Sequence, residues 1–331
     1  MSALDEFRQD PVSGDWVLVA TKRGKRPHDL KKYEHFMQPI ETCPFEDFGK
    51  SGNEVVWAYP NPNPIVTVIR NKYPAVEAGA CVPSHEYGPY QVNFAVGWHD
   101  IIVFRDHDRH LADFTKDEMI LVTRAYKKRY TELMNTAECT AYVFLFHNYG
   151  KEAGASLSHP HSQIISLPIL PPDVWRSLHG SQRFYKEHHR RVYDLTVTWE
   201  KEQARRVIYE NDFFIAFCPF VSKNPYEIRI FAKDGHAHFD KMPETLDPYF
   251  ADIFLAVLNK VRKALNDPPF NFFIHTAPTE AVPGTMHEFY TWHVEILPKV
   301  KIDAGFELGT GIEINSVDPD DAAQLYNESG I

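Results

Sequence analysis

The chain carries the run Ser158-His159-Pro160-His161-Ser162-Gln163, which leads directly into the apolar stretch Ile164–Leu167. The apolar stretch predicts a strand, and side chains two residues apart on a strand face the same side. We therefore expect His161 and Gln163 on one face of this strand. His159 shares their parity, although the proline that follows it disturbs the backbone.

A loop rich in glycine and small polar residues precedes this strand, with Asn148-Tyr149-Gly150 and then Gly154-Ala155-Ser156. Glycines let the backbone approach a ligand closely, and N–H groups exposed in such a turn bind anions. Neutral imidazole is a competent nucleophile towards phosphorus near pH 7. The Gln163 amide can donate hydrogen bonds to phosphate oxygens as charge develops on them. We therefore interpret His161 as the nucleophile of a phosphoryl-type transfer, rather than as one of two structural histidines in a loop.

Hydrophobic periodicity predicts a mixture of helices and strands. Residues 28–64 are rich in proline and polar groups and are expected to be loop. The predicted helices are Asp117–Asn135, Val174–Arg191 and Pro248–Leu265. The other predicted strands are Trp16–Val19, Val66–Arg70, Gln91–Val96, Asp100–Phe104, Ala141–Phe146, Val207–Tyr209, Phe213–Phe217, Glu227–Phe231, Phe270–His275 and Thr291–Leu297.

The two halves of the chain repeat one order of motifs. Four segments recur at offsets between 126 and 140 residues, which predicts a duplicated α+β unit. The matches are Arg70–Pro74 with Glu210–Phe214, His99–Phe104 with Pro225–Ile230, Val143–His147 with Phe272–His275, and His161–Ile164 with His293–Ile296. We place the domains at 1–190, with the active-site motif, and 191–331. The two sheets can stay separate or join into one.

The composition excludes several classes of protein. The net charge of −10 and the pI of about 5.9 argue against a general nucleic-acid binder. No apolar run reaches the roughly 18 residues that a membrane span needs. The four cysteines form no CxxC pair and suggest no disulfide framework, and no signal peptide is recognised. We therefore expect a reducing compartment, the cytoplasm, and small-molecule partners.

With these motifs, the sequence resembles the galactose-1-phosphate uridylyltransferase family, a branch of the histidine-triad superfamily. The resemblance implies an α+β fold, in which a duplicated histidine-triad-like unit forms antiparallel sheets flanked by helices. The segments that carry the resemblance besides the His161 motif are Asp10-Pro11 with Gly14-Asp15-Trp16-Val17, Arg23-Gly24-Lys25-Arg26-Pro27, Arg70-Asn71-Lys72-Tyr73-Pro74-Ala75, Trp292–Pro298 and Gly305–Gly311.

The resemblance assigns roles to individual residues. His161 would be the nucleophile, and Gln163 and Ser156 would contact the phosphates. Arg23 and Arg26 would neutralise the diphosphate, and Asn71 would contact the nucleotide. Asn148, Gly154 and Ala155 would belong to the active-site loop. Gly305, Phe306 and Glu307 would approach the hexose in the neighbouring subunit of a homodimer.

The activity that the resemblance implies is a double displacement in galactose metabolism. UDP-glucose would pass its uridylyl group to the histidine, glucose 1-phosphate would leave, and galactose 1-phosphate would collect the group. One alternative is a nucleotide-sugar phosphorylase, in which inorganic phosphate is the acceptor, often with adenine nucleotides. A hydrolase of the superfamily is disfavoured by the length of the chain. An alternative of another class is a nucleotide-sugar-binding protein with a degenerate site.

The resemblance also implies a structural zinc site, but the ligand pattern is altered. The family's cysteine pair reads Cys43-Pro44-Phe45-Glu46 here, so a glutamate replaces the second cysteine. His107, or alternatively His110, fits the third ligand and His159 the fourth. Cysteine, glutamate and histidine all bind zinc, although a carboxylate also suits harder metals. A second metal site, for which His275, His293 and Glu295 are the nearest candidates, is doubtful.

Overall fold

The computed structural model describes residues 5–25, 33–136, 139–279 and 287–330. The strands are β1 (Glu6–Gln9), β2 (Trp16–Val19), β3 (Val55–Tyr59), β4 (Val66–Arg70), β5 (His85–Tyr87), β6 (Tyr90–Val92), β7 (His99–Phe104), β8 (Tyr142–Tyr149), β9 (His161–Leu167), β10 (Val207–Glu210), β11 (Phe214–Phe217), β12 (Ile228–Ala232), β13 (Phe270–His275), β14 (His293–Pro298) and β15 (Glu313–Asn315). The helices are α1 (Phe48–Ser51), α2 (Lys116–Thr136), α3 (Pro172–His188), α4 (Val192–Gln203), α5 (Asp247–Ala264), α6 (Gly305–Thr310) and α7 (Pro319–Glu328).

One sheet of ten strands contains both repeats. Its order is β10-β11-β12-β14-β13-β8-β9-β7-β4-β3, and every neighbouring pair is antiparallel. The order reads the same from either edge once each strand is matched with its counterpart in the other repeat. The predicted duplication therefore appears as two five-stranded halves, and they join through β8 and β13. The boundary near residue 190 stays a prediction.

The main core lies on one face of the sheet. Helix α2 follows β7 and helix α5 follows β12, and the two helices pack against each other and against the sheet. Their buried side chains, such as Tyr130 of α2 and Phe254 of α5, belong to one apolar cluster. Helical spacing of apolar residues made both helices predictable, and both predictions are confirmed within one residue at each end.

The opposite face is divided between the repeats. Helices α3 and α4 cover the second repeat, because their apolar residues pack on Ile215, Phe217 and Phe231. The first repeat instead has a small cluster that contains Cys43 and Phe45. Since side chains alternate along β9, His161 faces this side, whereas Ile164 packs in the main core.

Three local predictions are wrong in part. Of the predicted strand Gln91–Val96, only Gln91 and Val92 lie in a strand, β6. Helix α3 ends at His188, because His189 adopts a left-handed conformation with φ of 54°, and a separate helix, α4, then begins. The predicted loop of residues 28–64 contains strand β3, an edge strand of the large sheet. Its run of valine and aromatic residues has strand propensity that the prolines around it concealed.

Cys81 and Cys139 form a single disulfide, which the spacing of the cysteines did not suggest. Their Cα atoms lie 5.6 Å apart although 58 positions separate them in the sequence. No local spacing motif reveals such a pair, since only the tertiary fold brings it together. The bond weighs against the expected reducing compartment.

None of the helices formed by the described residues is both long enough and apolar enough to cross a bilayer.

Asp100 ties the first repeat together beside the site. It is fully buried in β7, where it accepts hydrogen bonds from Arg70 of β4 at 2.9 Å and from Arg129 of α2 at 2.7 Å. Arg129 is itself buried. A buried charge without its partner is strongly destabilising, so this cluster fixes the position of β7 relative to α2.

Replacement of this carboxylate should cost much more stability than replacement of an exposed one. We expect Asp100→Ala to lower the free energy of unfolding by about 3–5 kcal/mol, because Arg129 loses its buried partner. Asp173→Ala, which removes an exposed carboxylate paired with Arg176, should cost about 1 kcal/mol or less. Chemical denaturation measures both, and equal losses would contradict the assignment.

Candidate active site

The loop before β9 depends on two glycines. Gly150 and Gly154 have φ values of 83° and 87°, a region that other residues rarely adopt. A Cβ atom on Gly150 would also lie 2.8 Å from Pro269. The N–H groups of Gly154 and Ala155 donate to the carbonyls of Lys151 and Gly150, so in this structure these two groups are already engaged and do not form the expected anion nest.

The backbone and burial fix the protonation state of His161. It is buried at the start of β9, and its Nδ1 lies 2.9 Å from the carbonyl oxygen of His159. Because a carbonyl only accepts, Nδ1 carries the proton and Nε2 keeps its lone pair. Burial lowers the pKa of His161, which favours the neutral ring. The ring of Phe45 packs against the imidazole in a T-shaped contact, with ring centroids 5.3 Å apart.

On the opposite face of β9, Ser162 belongs to a hydrogen-bonded cluster of three buried side chains. Ser162 Oγ lies 2.6 Å from the Tyr126 hydroxyl of α2 and 3.0 Å from Nδ1 of His147 in β8. All three residues are buried. Sequence reasoning missed Tyr126 and His147, although the histidine at the end of a predicted strand was a usable signal.

Gln163 lies on the same face as His161 and is only partly buried. Its Oε1 lies 2.9 Å from Nε2 of His99, the first residue of β7. The side chain of Asn71 lies against the same ring, because its amide nitrogen is 3.3 Å from Nε2 of His99. The structure therefore brings together the predicted phosphate and nucleotide contacts Gln163 and Asn71, with His99 between them.

Asn148 is oriented by the second repeat. Asn271 of β13 donates from Nδ2 to Oδ1 of Asn148 and to the carbonyl of Ala153, each at 2.8 Å. The Nδ2 group of Asn148 is thereby left as a donor beside Gly154, where a Cβ atom would lie 3.8 Å from it. Asn148, Ala155, Ser156 and neighbouring residues line a cavity of about 320 Å³.

Four side chains converge beside His161, and they are the predicted metal ligands. Ligand atoms of Cys43, Glu46, His107 and His159 all lie within 4.8 Å of one another. The Nδ1 atoms of the two histidines are 3.3 Å apart, and Cys43 Sγ lies 3.6 Å from Nδ1 of His159. Tetrahedral zinc places nitrogen and sulfur ligands about 3.3–3.6 Å from each other, so these distances fit a metal ion.

The hydrogen bonds of the two histidines strengthen this fit. Nε2 of His107 lies 2.6 Å from the carbonyl of Gln38, and Nε2 of His159 lies 2.6 Å from that of Phe104. Both Nε2 atoms must therefore donate, and both Nδ1 lone pairs point into the cluster. Oε1 of Glu46 lies 2.9 Å from Nδ1 of His107 and 3.0 Å from Nδ1 of His159, so these three atoms repel one another unless a metal ion or a shared proton lies among them. Burial lowers the pKa of His159, which opposes protonation as a substitute.

The choice between His107 and His110 is resolved by position. His110 accepts a hydrogen bond at Nδ1 from the N–H of Ala112, at 2.8 Å. Its Nε2 faces Asp267 at 3.7 Å, and the ring packs on Tyr149. His110 therefore belongs to another part of the fold, and His107 is the member of the cluster.

For some of the predicted substrate contacts, the structure shows no hydrogen bond or ion pair with the described residues of this site. Arg23 is exposed in a 3-10 turn after β2, and its side chain makes no hydrogen bond or ion pair with the described residues. Arg26 lies outside the described residues. Gly305, Phe306 and Glu307 begin the exposed helix α6, whose hydrogen bonds are local.

The residues considered for a second metal site form an ion network instead. Glu295 accepts from His275 at 3.0 Å and from Arg229 at 3.2 Å, and Arg229 also pairs with Glu227 at 2.9 Å. Nδ1 of His293 lies 3.0 Å from the Thr291 carbonyl, and burial lowers its pKa to about 3. Among the described residues, only the Cys43 cluster has the convergent geometry of a metal site.

Comparison with known proteins gives consistent results. Residues 2–171 match the family described as galactose-1-phosphate uridyl transferase, N-terminal domain. An ADP-glucose phosphorylase of Arabidopsis thaliana is 32% identical over 98% of this chain and 92% of its own length. A galactose-1-phosphate uridylyltransferase of Thermotoga maritima is 28% identical over 98% of this chain and 99% of its own.

Solved structures agree with the sequence matches. The crystal structure of an Arabidopsis thaliana ADP-glucose phosphorylase with bound ADP-glucose has a TM-score of 0.83 and 30% identity, covering 99% of this chain and all of that one. A uridylyltransferase structure has a TM-score of 0.74 and 25% identity, with 98% of both chains covered. The duplicated α+β sheet, the ordered His161 motif and these matches place the chain in the galactose-1-phosphate uridylyltransferase family.

Proposed function

We propose that this protein transfers a nucleoside monophosphate from a nucleotide sugar, through a covalent nucleotidyl-His161 intermediate. The observation that carries the proposal is the fixed tautomer of His161, with Nδ1–H bound to the His159 carbonyl and Nε2 left as a lone pair. The intact nucleophile argues against a binding protein with a degenerate site. Small-molecule nucleotide sugars are the expected partners.

The chemistry consists of two displacements at the same phosphorus. Nε2 of His161 forms a bond to the α-phosphorus, and the sugar 1-phosphate leaves with the electrons of the broken P–O bond. The nucleotidyl imidazolium then carries a positive charge, and the His159 carbonyl stabilises it by accepting the Nδ1–H hydrogen bond. The acceptor oxygen next displaces the imidazole, which returns to its neutral form. Gln163, Ser156 and Asn148 are the groups that we assign to the phosphate oxygens.

We favour inorganic phosphate as the acceptor and ADP-glucose as the donor. The support is the greater similarity to the ADP-glucose phosphorylase than to the uridylyltransferases, in both sequence and structure. The second candidate is the UDP-glucose–hexose-1-phosphate uridylyltransferase activity that the motifs first indicated. Both activities pass through nucleotidyl-His161, so the acceptor must be tested directly.

Labelling with a nucleotide sugar tests the covalent step. We expect ADP-glucose labelled at the α-phosphate to leave acid-labile, base-stable label on the wild-type protein. His161→Ala should take up none because the nucleophile is gone, whereas His179→Ala, at an exposed position of α3, should be labelled normally. Release as ADP by phosphate supports the phosphorylase. Label taken from UDP-glucose and released by galactose 1-phosphate supports the second candidate, and no label from either donor would refute the covalent mechanism.

We propose zinc as the ion held by Cys43, Glu46, His107 and His159. The bound ion would hold the loop of Cys43 against the start of β9, and it would thereby fix the backbone from which His161 projects. Its role is structural, because all four ligand positions are taken by the protein.

Metal analysis of purified variants tests this site. We expect about one zinc ion per wild-type chain. His107→Ala should lose the ion, because one of four ligands disappears, whereas His110→Ala should retain it. Glu46→Cys, which restores a second thiolate, should hold zinc more tightly against a chelator. Retention by His107→Ala together with loss by His110→Ala would refute the assignment.

We also propose that the protein is a homodimer in which α6 completes the partner's active site. The support is the exposure of apolar side chains in and before this helix, since Ile302, Phe306 and Leu308 are 95%, 43% and 79% exposed. Exposed apolar residues grouped in this way mark contact surfaces.

Complementation between two defective variants tests the shared site. We expect His161→Ala and Phe306→Asp to have little activity as separate proteins. Co-expressed, they should recover about a quarter of the wild-type activity, because half of the dimers are mixed and each mixed dimer has one intact site. A mixed dimer purified through different affinity tags on the two variants but still inactive would refute the shared site.

A further inference from the structure

His99 is in contact with the predicted active site but has no assigned role. It begins β7 next to β9, and Gln163 is paired with Ile101 two residues further along. The ring of His99 lies between Asn71 and Gln163. The amide nitrogen of Asn71 is 3.4 Å from Nδ1 and 3.3 Å from Nε2, and Oε1 of Gln163 is 2.9 Å from Nε2. A histidine in this place decides which hydrogen bonds its two neighbours can make.

The backbone fixes the tautomer of His99. The N–H of Ala75 donates to Nδ1 at 3.1 Å, and a backbone N–H can only donate. Nδ1 therefore carries the lone pair, and the proton lies on Nε2. Asn71 itself is held, because its Oδ1 accepts from the N–H of Tyr73 at 2.9 Å and its backbone N–H donates to the His99 carbonyl at 3.0 Å.

The tautomer in turn fixes the Gln163 amide. The Nε2–H of His99 needs an acceptor, and the side-chain oxygen of Gln163 is the atom within reach. The flipped amide would place its NH₂ group against another donor and leave both unsatisfied. The NH₂ group of Gln163 is thus directed away from His99, along the face of β9 that it shares with His161.

We propose that His99 is a positioning residue that captures the Gln163 oxygen and so presents the Gln163 NH₂ group to the phosphate bound at His161. This inference rests on the proposed nucleotidyl transfer. His99 acts only through Gln163. Asp100, the adjacent charged group, lies on the other face of β7 between Arg70 and Arg129, so it does not compete for the imidazole.

The environment supports a neutral ring in this position. Burial lowers the pKa of His99, so the imidazole keeps one proton near neutral pH. Protonation would add a hydrogen at Nδ1, where it would meet the N–H of Ala75. Both the backbone contact and the burial therefore preserve the single-proton form that the amide needs.

NMR of the histidine rings tests the tautomer without any assay of activity. In protein labelled with ¹⁵N-histidine, the signals lost in His99→Phe identify His99. We expect them to show a protonated Nε2 and an unprotonated Nδ1 at pH 7. A protonated Nδ1, or a doubly protonated ring, would overturn the proposal even if the enzyme transfers nucleotides as proposed.

Variants that differ in one hydrogen-bond donor test the consequence. His99→Gln keeps an N–H donor near the Nε2 position, whereas His99→Glu and His99→Phe do not. We expect His99→Gln to keep most of the wild-type kcat, and the other two to lower kcat roughly tenfold while KM and Tm change little. Equal activity of the Gln and Phe variants would overturn the proposal.

A double-mutant cycle separates positioning from a general structural role. In a Gln163→Ala background, His99→Phe should have no further effect on kcat, because the amide that it positions is gone. Additive losses would show that His99 acts elsewhere. If the wild-type protein forms no nucleotidyl adduct, the proposed function fails, and the tautomer measurement still decides whether His99 orients Gln163.

Discussion

The antiparallel pairing of β8 with β13 is the constraint on which both the sheet and the site depend. It joins two five-stranded halves, and without it each half would expose a long edge strand. The same register places Asn271 opposite Asn148, so a residue of the second repeat orients an amide in the loop of the first. The loop of Gly150 and Gly154 therefore needs the duplicated fold, although the proposed nucleophile lies in one repeat.

The histidines around this loop share one feature, which is a hydrogen bond between a backbone group and one ring nitrogen. In His161, His159 and His107, one ring nitrogen is held by a backbone carbonyl, and in His99 one is held by a backbone N–H. Backbone groups do not titrate, so each ring is kept in one tautomer while its other nitrogen remains free for a task. The tasks that we propose for them differ: attack on phosphorus, metal binding, and orientation of an amide. The backbone beside each ring thus determines which ring nitrogen carries the proton and which nitrogen is left to interact with other groups.

Much of this could be predicted from the sequence, and the rest depends on long-range contacts. The alternation that places His161 and Gln163 on one face is local, and so is the helical spacing of α2 and α5. The four metal-ligand candidates were found from the family pattern, yet only the fold separates His107 from His110. Asn271 and Tyr126 leave no local trace, because their partners lie 123 and 36 residues away. The Cys81–Cys139 bond was unpredictable for the same reason.

The two repeats share their backbone geometry and differ in charge, which explains why only one is expected to transfer nucleotides. His293 has the same bond to a carbonyl two residues earlier that His161 has. The position of Gln163 is taken by Glu295, however. Burial alone would raise the pKa of Glu295, but the Arg229 charge and the His275 hydrogen bond outweigh it and hold that pKa well below its ordinary value. A buried anion at this position repels a phosphate, where an amide would donate to it. The second repeat therefore shares the fold but lacks the electrostatics that the proposed chemistry needs.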